Sequence, residues 1–167
     1  MNMNQWNKVA SEYLVPMGKQ GVFLTTADGD RVNTMTMSWS SAGIYWQKPV
    51  LTLPVRFTRY TREFIEKTGF LTVSVPKEGS LSMELALCGT KSGRDIDKIA
   101  QCGFTMQPGR TVPVPVIAEA KLHFECRVLY KTDMSPLNMD PEINKLNYAQ
   151  LNYHTLYFAE VLDFYEA

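Results

Sequence analysis

Three arginines and two threonines lie close together between Arg56 and Arg62, at the start of a predicted helix. Guanidinium groups bind phosphate through paired hydrogen bonds, and the N–H groups at a helix N-terminus also bind anions. The segment therefore predicts a phosphate site, and the expected contacts are Arg56, Thr58, Arg59 and Thr61. Taken alone, it fits equally well a solvated helix start whose arginines pair with Glu63 and Glu66.

Hydroxyl-bearing side chains alternate with apolar ones in residues 32–39. This period of two predicts a strand with Met35, Met37 and Trp39 on one face. The other face carries the hydroxyls of Thr34, Thr36, Ser38 and Ser40. Because buried hydroxyls need hydrogen-bond partners, such a face suits a planar ligand ringed by donors and acceptors. A solvent-facing strand is the alternative. With the phosphate site, the strand predicts a phosphorylated planar cofactor.

The segment 89–95 combines two glycines with Lys91 and Arg94. It lacks the spacing of a Walker loop or a dinucleotide-binding motif, and alone it would be a flexible surface loop. Cys88, just before it, is interpreted as a buried structural thiol, since no second cysteine is near in sequence. His154 is interpreted as a positioning residue.

Hydrolase and metal-site hypotheses find no support in the sequence. No nucleophile elbow is present, and the two histidines are far apart and without carboxylates at ligand spacing. Three cysteines with no CxxC spacing favour reduced thiols.

Composition favours a cytoplasmic protein of one domain, residues 1–167. There are 17 basic and 17 acidic residues, spread along the chain, which argues against nucleic-acid or membrane-surface binding. We see no signal peptide and no apolar run that would span a membrane.

The elements that would position these residues are mostly short strands. Hydrophobic periodicity and turn residues predict strands at 21–27, 32–39, 43–46, 50–55, 70–75, 121–130 and 154–164. Helices are expected from residue 3 to a stop before Pro16, from about 58 to Gly69, at 80–88, and from an Asp95 cap to Gly103. In the 121–130 strand, Lys121, His123, Glu125 and Arg127 are expected to face solvent. The pattern predicts a mainly β protein, an antiparallel Greek-key-like barrel with attached helices.

Seven segments, in this order, resemble the flavin reductase-like, FMN-binding split-barrel family. They are NTMTMSW (33–39), WQKP (46–49), VRFTRYT (55–61), EFIE (63–66), FLTVSVP (70–76), CGTKSGRD (88–95) and HTLYFAEV (154–161). The ordered set covers nearly the whole chain and is specific, although each piece alone is weak. Residues 131–152 match nothing in the family pattern and are interpreted as a variable insertion.

The resemblance implies a split-barrel homodimer with one FMN per subunit near the dimer interface. It implies that the 34–39 strand lies along the isoalloxazine ring, that the arginine-threonine segment binds the phosphate, and that His154 lies by the ring and the nicotinamide site. The FMN contacts expected from it are Met35, Thr36, Met37, Ser38, Trp39, Arg56, Thr58, Arg59, Tyr60, Thr61, Cys88, Gly89, Thr90, Lys91, Ser92 and Arg94.

The function implied is NAD(P)H-dependent flavin reduction, with hydride passing between nicotinamide and flavin. Members of the family also include flavoredoxin-type electron carriers, which exchange electrons with a partner protein. A flavin- or haem-binding relative without turnover is a third alternative. Trp39 and Trp46 are interpreted as core or dimer-interface residues rather than stacking partners. The insertion either covers the ring face or carries a partner-docking surface.

Overall fold

The computed structural model describes residues 3–167. The strands are β1 (Val22–Asp28), β2 (Arg31–Met37), β3 (Ser41–Tyr45), β4 (Lys48–Arg56), β5 (Phe70–Val75), β6 (Met106–Gln107), β7 (Val116–Ile117), β8 (Leu122–Asp133) and β9 (His154–Glu166). The helices are α1 (Met3–Lys19), α2 (Tyr60–Thr68), α3 (Ser82–Thr90), α4 (Lys98–Cys102) and α5 (Pro141–Asn147), with a 3-10 turn at Pro136–Asn138. The predicted mainly β class with attached helices is confirmed.

Seven strands form one antiparallel sheet of order β2-β1-β5-β8-β9-β4-β3. Its two edges, β2 and β3, are separated in sequence only by residues 38–40. In a flat sheet these edges would lie about 29 Å apart, whereas the link spans at most about 14 Å. The sheet therefore curls toward a barrel, and no ladder joins β2 to β3 in the described residues.

Alternate strand residues and one face of α1 fill the inside of the curled sheet. Leu24 and Val22 of β1 point into this core, while Phe23 between them packs outside with residues of α3. Tyr13 of α1 is fully buried and packs edge-on against Phe124 of β8, with ring centroids 5.4 Å apart. The strand period of two thus separates the barrel interior from a second core under α3 and α4.

The prediction that the first helix ends before Pro16 is wrong, because α1 continues to Lys19. A proline inside a helix costs about 3 kcal/mol. Tyr13 and Met17, one turn apart, are buried in the barrel core, and each such burial contributes about 1.5–3 kcal/mol. The packing of these two side chains offsets the lost backbone hydrogen bond.

The prediction that one side of β8 faces solvent is also wrong at two positions, because His123 and Glu125 are fully buried. The segment 109–117 covers this face. Glu125 accepts hydrogen bonds from the backbone N–H of Arg110 (2.6 Å) and from the hydroxyl of Tyr165 (2.9 Å). Burial would raise the pKa of Glu125, but its hydrogen bonds, including those from Thr111, lower it below the usual value.

Two helices end where the sequence predicts, because a glycine at each end determines the local backbone conformation. Gly69 and Gly103 adopt the predicted left-handed conformation, with φ of 72° and 65°. The cap of α4 is Asp97 rather than Asp95, since the Asp97 carboxylate accepts from the N–H of Ala100 over 3.0 Å. None of the described helices is long and apolar enough to cross a membrane.

Candidate functional site

A cleft of about 320 Å³, here called the phosphate-side cleft, lies where β2, the start of α2 and the segment after α3 meet. It brings together most of the predicted phosphate contacts from separate parts of the sequence. Its lining residues are Asn33, Met35, Arg56, Thr58, Arg59, Tyr60, Thr61, Thr90, Lys91, Ser92, Gly93, Arg94, Lys98 and Asn152. Cys88 and Gly89, also expected to contact the cofactor, do not line it.

Five cationic side chains line this cleft, and none of its described lining residues is a carboxylate. One ion pair expected for a solvated helix start is present, since Arg62 lies 3.9 Å from Glu66, whereas Glu63 pairs with Arg94 from outside the segment. Arg56 and Arg59 instead donate to backbone carbonyls. This donor set fits a phosphate dianion.

Arg59 connects two walls of the cleft. It precedes α2, and its Nη1 donates to the carbonyl of Gly89 over 2.9 Å. Burial, together with the charge of Arg56, lowers the pKa of the Arg59 guanidinium. The Arg59 side chain does not cap α2, which leaves N–H groups of the first turn for an anion.

Lys98 was missed by the sequence analysis, because nothing local distinguishes it from a surface lysine. It is 95% buried, and its Nζ donates to the carbonyls of Thr34 (2.9 Å) and Cys88 (3.0 Å). Burial lowers the pKa of Lys98. A buried ammonium held only by carbonyls adds positive charge at the floor of the cleft.

A second cleft of about 180 Å³, here called the ring-side cleft, shares Met35, Arg56 and Arg59 with the first. All five predicted ring contacts of the 34–39 strand line it. Its lining residues are Met35, Thr36, Met37, Ser38, Trp39, Pro54, Arg56, Arg59 and His154. The two clefts form one continuous site along the edge of β2.

The hydroxyl face of β2 does not point freely into this site. Thr36 donates to the carbonyl of Leu85 over 2.5 Å, and Thr34 donates to the carbonyl of Leu24 over 3.3 Å. Because β2 is an edge strand, its outer backbone groups are available instead. The carbonyl of Thr34 points outward to Lys98, so strand geometry directs the N–H and C=O of Thr36 the same way. Backbone groups, rather than hydroxyls, are the donors offered by this strand.

His154 forms the far wall of the ring-side cleft. Its Nδ1 lies 2.8 Å from the hydroxyl of Tyr148, and its ring centroid lies 5.3 Å from that of Trp39. Burial and the nearby charges of Arg56 and Arg59 lower the pKa of His154 to about 4. The imidazole is therefore neutral at pH 7. Trp39 is 46% exposed, so it is not a core residue of the described chain.

We expect the free energy of unfolding to fall as the pH is lowered from 6.5 to 4. Burial also lowers the pKa of His123 to about 4, with Arg110 adding to the effect. Unfolded histidine titrates near pH 6.5, so the unfolded chain binds more protons in this window. The stabilisation is complete above pH 6.5 and is lost toward pH 4, by roughly 1–3 kcal/mol for each histidine.

Urea unfolding across this pH range measures the effect. The variant carrying both His123→Gln and His154→Gln should show a nearly flat profile from pH 6.5 to 5, where carboxylates titrate little. A double variant with the slope of the original protein would contradict the assignment to these two histidines.

Residues 134–153, here called the cover, lie against the site and include most of the variable insertion. Arg56 donates to the carbonyls of Asn152 (2.6 Å) and Asn147 (3.2 Å). Its guanidinium also lies 5.2 Å from the ring centroid of Tyr148. The cover thus contacts Arg56, a predicted phosphate-binding residue, and its Tyr148 contacts His154.

Two other features lie outside these clefts. The Sγ atoms of Cys88 and Cys102 are 3.8 Å apart, a proximity that their sequence separation did not suggest. Burial raises the pKa of Cys88 to about 12, which keeps this thiol protonated. A more apolar groove of about 620 Å³ between α1 and the ends of β5 and β8 includes Val15, Pro16 and Pro76. It contains none of the predicted site residues.

Known proteins resemble this chain in sequence and in fold. A model of the family described as "Flavin reductase like domain" matches residues 17–167. An uncharacterized protein of Pyrococcus abyssi is 31% identical over 107 residues, which is 63% of this chain and 59% of that protein. The chain spans 59% of the length of the curated relatives that it matches.

Solved structures with the same fold have lower identity. Flavoredoxin of Desulfovibrio vulgaris (Miyazaki F) is 23% identical with a TM-score of 0.69, covering 88% of this chain and 69% of that chain. An NADH:FAD oxidoreductase of Streptomyces globisporus is 16% identical with a TM-score of 0.67, covering 96% and 84%. At such identities the likeness establishes the fold.

Proposed function

The chain belongs to the flavin reductase-like family, and from that membership we propose that it is an FMN-binding oxidoreductase that reduces flavin with NAD(P)H. The observation that carries the proposal is the cluster of five cations at one end of the site, with a strand edge and a neutral histidine at the other. FMN has a phosphate at one end and a planar ring at the other, so it would match the two ends of this site.

Arg56, Arg59 and Arg94 would hold the phosphate, together with Lys91, Lys98 and the N-terminus of α2. The outward-facing N–H and C=O of Thr36 in β2 would bind the polar edge of the ring. Bound FMN would supply the redox chemistry, because its ring system accepts a hydride or electrons. His154 would shape the ring-side cleft as a neutral positioning residue, since its depressed pKa makes it a poor proton donor at pH 7.

An electron carrier of the flavoredoxin type is the second candidate. It is supported by the likeness to the flavoredoxin of D. vulgaris. A carrier and a reductase would share every FMN contact, so the two differ only in whether nicotinamide reduces the bound flavin.

Mixing FMN-loaded protein anaerobically with NADH, and separately with NADPH, distinguishes them through the visible flavin band. We expect rapid bleaching with one or both donors. Bleaching by dithionite alone would contradict the reductase and support the carrier. Protein that retains no FMN would contradict both.

We also propose a homodimer, with the aromatic patch of Tyr45, Trp46, Tyr130 and Phe158 in its interface. Trp46 and Tyr130 are 57% and 51% exposed, and both pack against Phe158. Exposed aromatic clusters of this kind are typical of protein interfaces.

Sedimentation equilibrium should give twice the chain mass. Trp46 has a φ of 50°, so Trp46→Asn, which suits this turn conformation, should yield a monomer without disturbing the hairpin. A dimer that persists unchanged in this variant would exclude the aromatic patch from the interface.

A further inference from the structure

His154, at the start of β9, and Tyr148, in the cover, form a buried hydrogen-bonded pair. Nδ1 of His154 lies 2.8 Å from the hydroxyl of Tyr148. His154 lines the ring-side cleft, whereas Tyr148 does not. The hydroxyl of Tyr148 therefore acts on a ligand in this cleft only through the histidine.

The bond to Tyr148 favours one protonation form of the neutral imidazole. The phenol hydroxyl has a single proton and two neighbouring acceptors, Nδ1 of His154 and, at 3.1 Å, Sδ of Met134. A thioether sulfur is only a weak acceptor, whereas an unprotonated imidazole nitrogen is a full one. The hydroxyl proton therefore points to Nδ1, which places the imidazole proton on Nε2.

Nε2 of His154 is accessible from outside the protein core. It has no hydrogen-bond partner among the described residues, where the buried polar side-chain atoms without a partner are Nε2 of His123 and Oδ1 of Asn152. Burial and the charges of Arg56 and Arg59 lower the pKa of His154, so the ring is neutral at pH 7. The ring-side cleft is thus lined by a neutral N–H group that can donate a hydrogen bond and keep its proton.

The ring of Tyr148 is fixed by contacts that do not involve its hydroxyl. It stacks on Tyr153, with ring centroids 4.9 Å apart and an interplanar angle of 15°. The guanidinium of Arg56 lies 5.2 Å from its centroid, and its backbone N–H donates to the carbonyl of Asn144 over 2.9 Å. Tyr148→Phe therefore keeps this packing and removes the bond to His154.

We propose that Tyr148 is a positioning residue that fixes His154 as an Nε2–H donor to a carbonyl oxygen of a planar ring ligand in the ring-side cleft; this inference rests on the proposed FMN function. The flavin ring and the carboxamide of nicotinamide both offer such an oxygen. The cover then acts on the ring end of the site through one hydroxyl, while the arginines act on the phosphate end.

A double-variant cycle tests whether Tyr148 acts through His154. Tyr148→Phe should weaken ligand binding about fivefold, which corresponds to one hydrogen bond of about 1 kcal/mol. His154→Leu should cause a similar loss, and Tyr148→Phe should add nothing to it in the double variant. Tyr153→Phe is the matched control, since its hydroxyl also belongs to the cover but donates to Asn144. This control should bind like the original protein.

Two measurements identify which ligand supplies the carbonyl. If it belongs to the flavin, titration of FMN followed by flavin fluorescence should show the fivefold loss in Tyr148→Phe. If it belongs to the nicotinamide, the affinity for FMN should stay constant and the KM for NADH or NADPH should rise about fivefold with kcat unchanged. Either loss supports the inference when it disappears in the His154→Leu background.

Nitrogen-15 NMR of the ligand-free protein gives a signature that a merely structural tyrosine would not change. At pH 7, long-range proton–nitrogen correlations should show His154 almost entirely with its proton on Nε2. Tyr148→Phe should give a mixture of the two neutral forms, and Tyr153→Phe should not. His123, the other histidine of the chain, is the internal reference and should keep its signals in both variants.

Three results would overturn the inference while leaving FMN binding intact. They are a proton on Nδ1 of His154 in the original protein, unchanged values for FMN and for the nicotinamide donor in Tyr148→Phe, and losses that add in the double variant. An original protein that binds no FMN would instead overturn the proposed function itself.

Discussion

Arg59→Ala should lower the affinity for FMN by about 100-fold. A phosphate held by one guanidinium gains two charge-assisted hydrogen bonds, each contributing about 1.5–3 kcal/mol, and 3 kcal/mol corresponds to roughly 100-fold. Arg59 is better placed for this role than Arg56, whose guanidinium is already bound to two carbonyls of the cover. Titration of FMN at fixed ionic strength measures the loss.

The ligand-free fold should tolerate this substitution. Arg59 is partly buried beside Arg56, and the two charges repel, so removing one relieves repulsion while losing one bond to the carbonyl of Gly89. Lys67→Ala is the matched control, since Lys67 is an exposed cation near the end of the helix that Arg59 precedes and pairs with Asp28, away from the cleft. Equal FMN affinities in Arg59→Ala and Lys67→Ala would remove the phosphate site from this segment.

Gly93→Ala should both destabilise the protein and weaken FMN binding at least tenfold. A Cβ at this position would lie 1.9 Å from Oδ1 of Asn33 and 3.1 Å from the ring of Tyr60. Asn33 is not free to yield, because its Nδ2 donates to Oγ1 of Thr61 over 2.8 Å. Overpacking of this kind costs about 1–3 kcal/mol. Gly93 lies in the wall of the phosphate-side cleft that also carries Lys91, Ser92 and Arg94. Displacement of this wall is expected to weaken FMN binding.

Thermal unfolding and FMN titration of the same preparations measure both effects. Gly43→Ala is the control, since a Cβ there meets no atom within 4 Å. Adding Asn33→Ala to Gly93→Ala removes the clashing amide, so the double variant should be more stable than the sum of the single effects predicts. Strict additivity would show that the clash with Asn33 is not the cause.

The sequence predicted the strands and the glycine-capped helix ends because neighbouring residues determine them. Alternation in β2, and β-branched or aromatic runs bounded by turn residues elsewhere, placed β1, β2, β5 and β9 within a few residues. Gly69 and Gly103 end their helices because glycine adopts the left-handed conformation easily. The arginine-threonine segment could be predicted as a phosphate site for the same reason, since its arginines and threonines are close in sequence.

Features that depend on distant segments were missed. His123 and Glu125 read as solvent-facing because the segment that covers them has no periodicity of its own. Lys98 and Asn152 join the site only through tertiary contacts with Thr34 and Arg56. The hydroxyls of β2 pointed to a strand that lines the ring-side cleft, but the hydroxyl of Thr36 donates to α3 instead of facing a ligand.

The strand order has a consequence for how the chain reaches its native state. The β3–β4 hairpin joins the seven-stranded sheet only through β9, with Arg56 opposite His154 across about 100 residues of chain. Such distant pairing gives a high contact order, which slows folding toward milliseconds or longer. The two clefts meet at this pairing. A compact intermediate made of local hairpins would therefore lack the cofactor site, and flavin capture would report the final docking of β9.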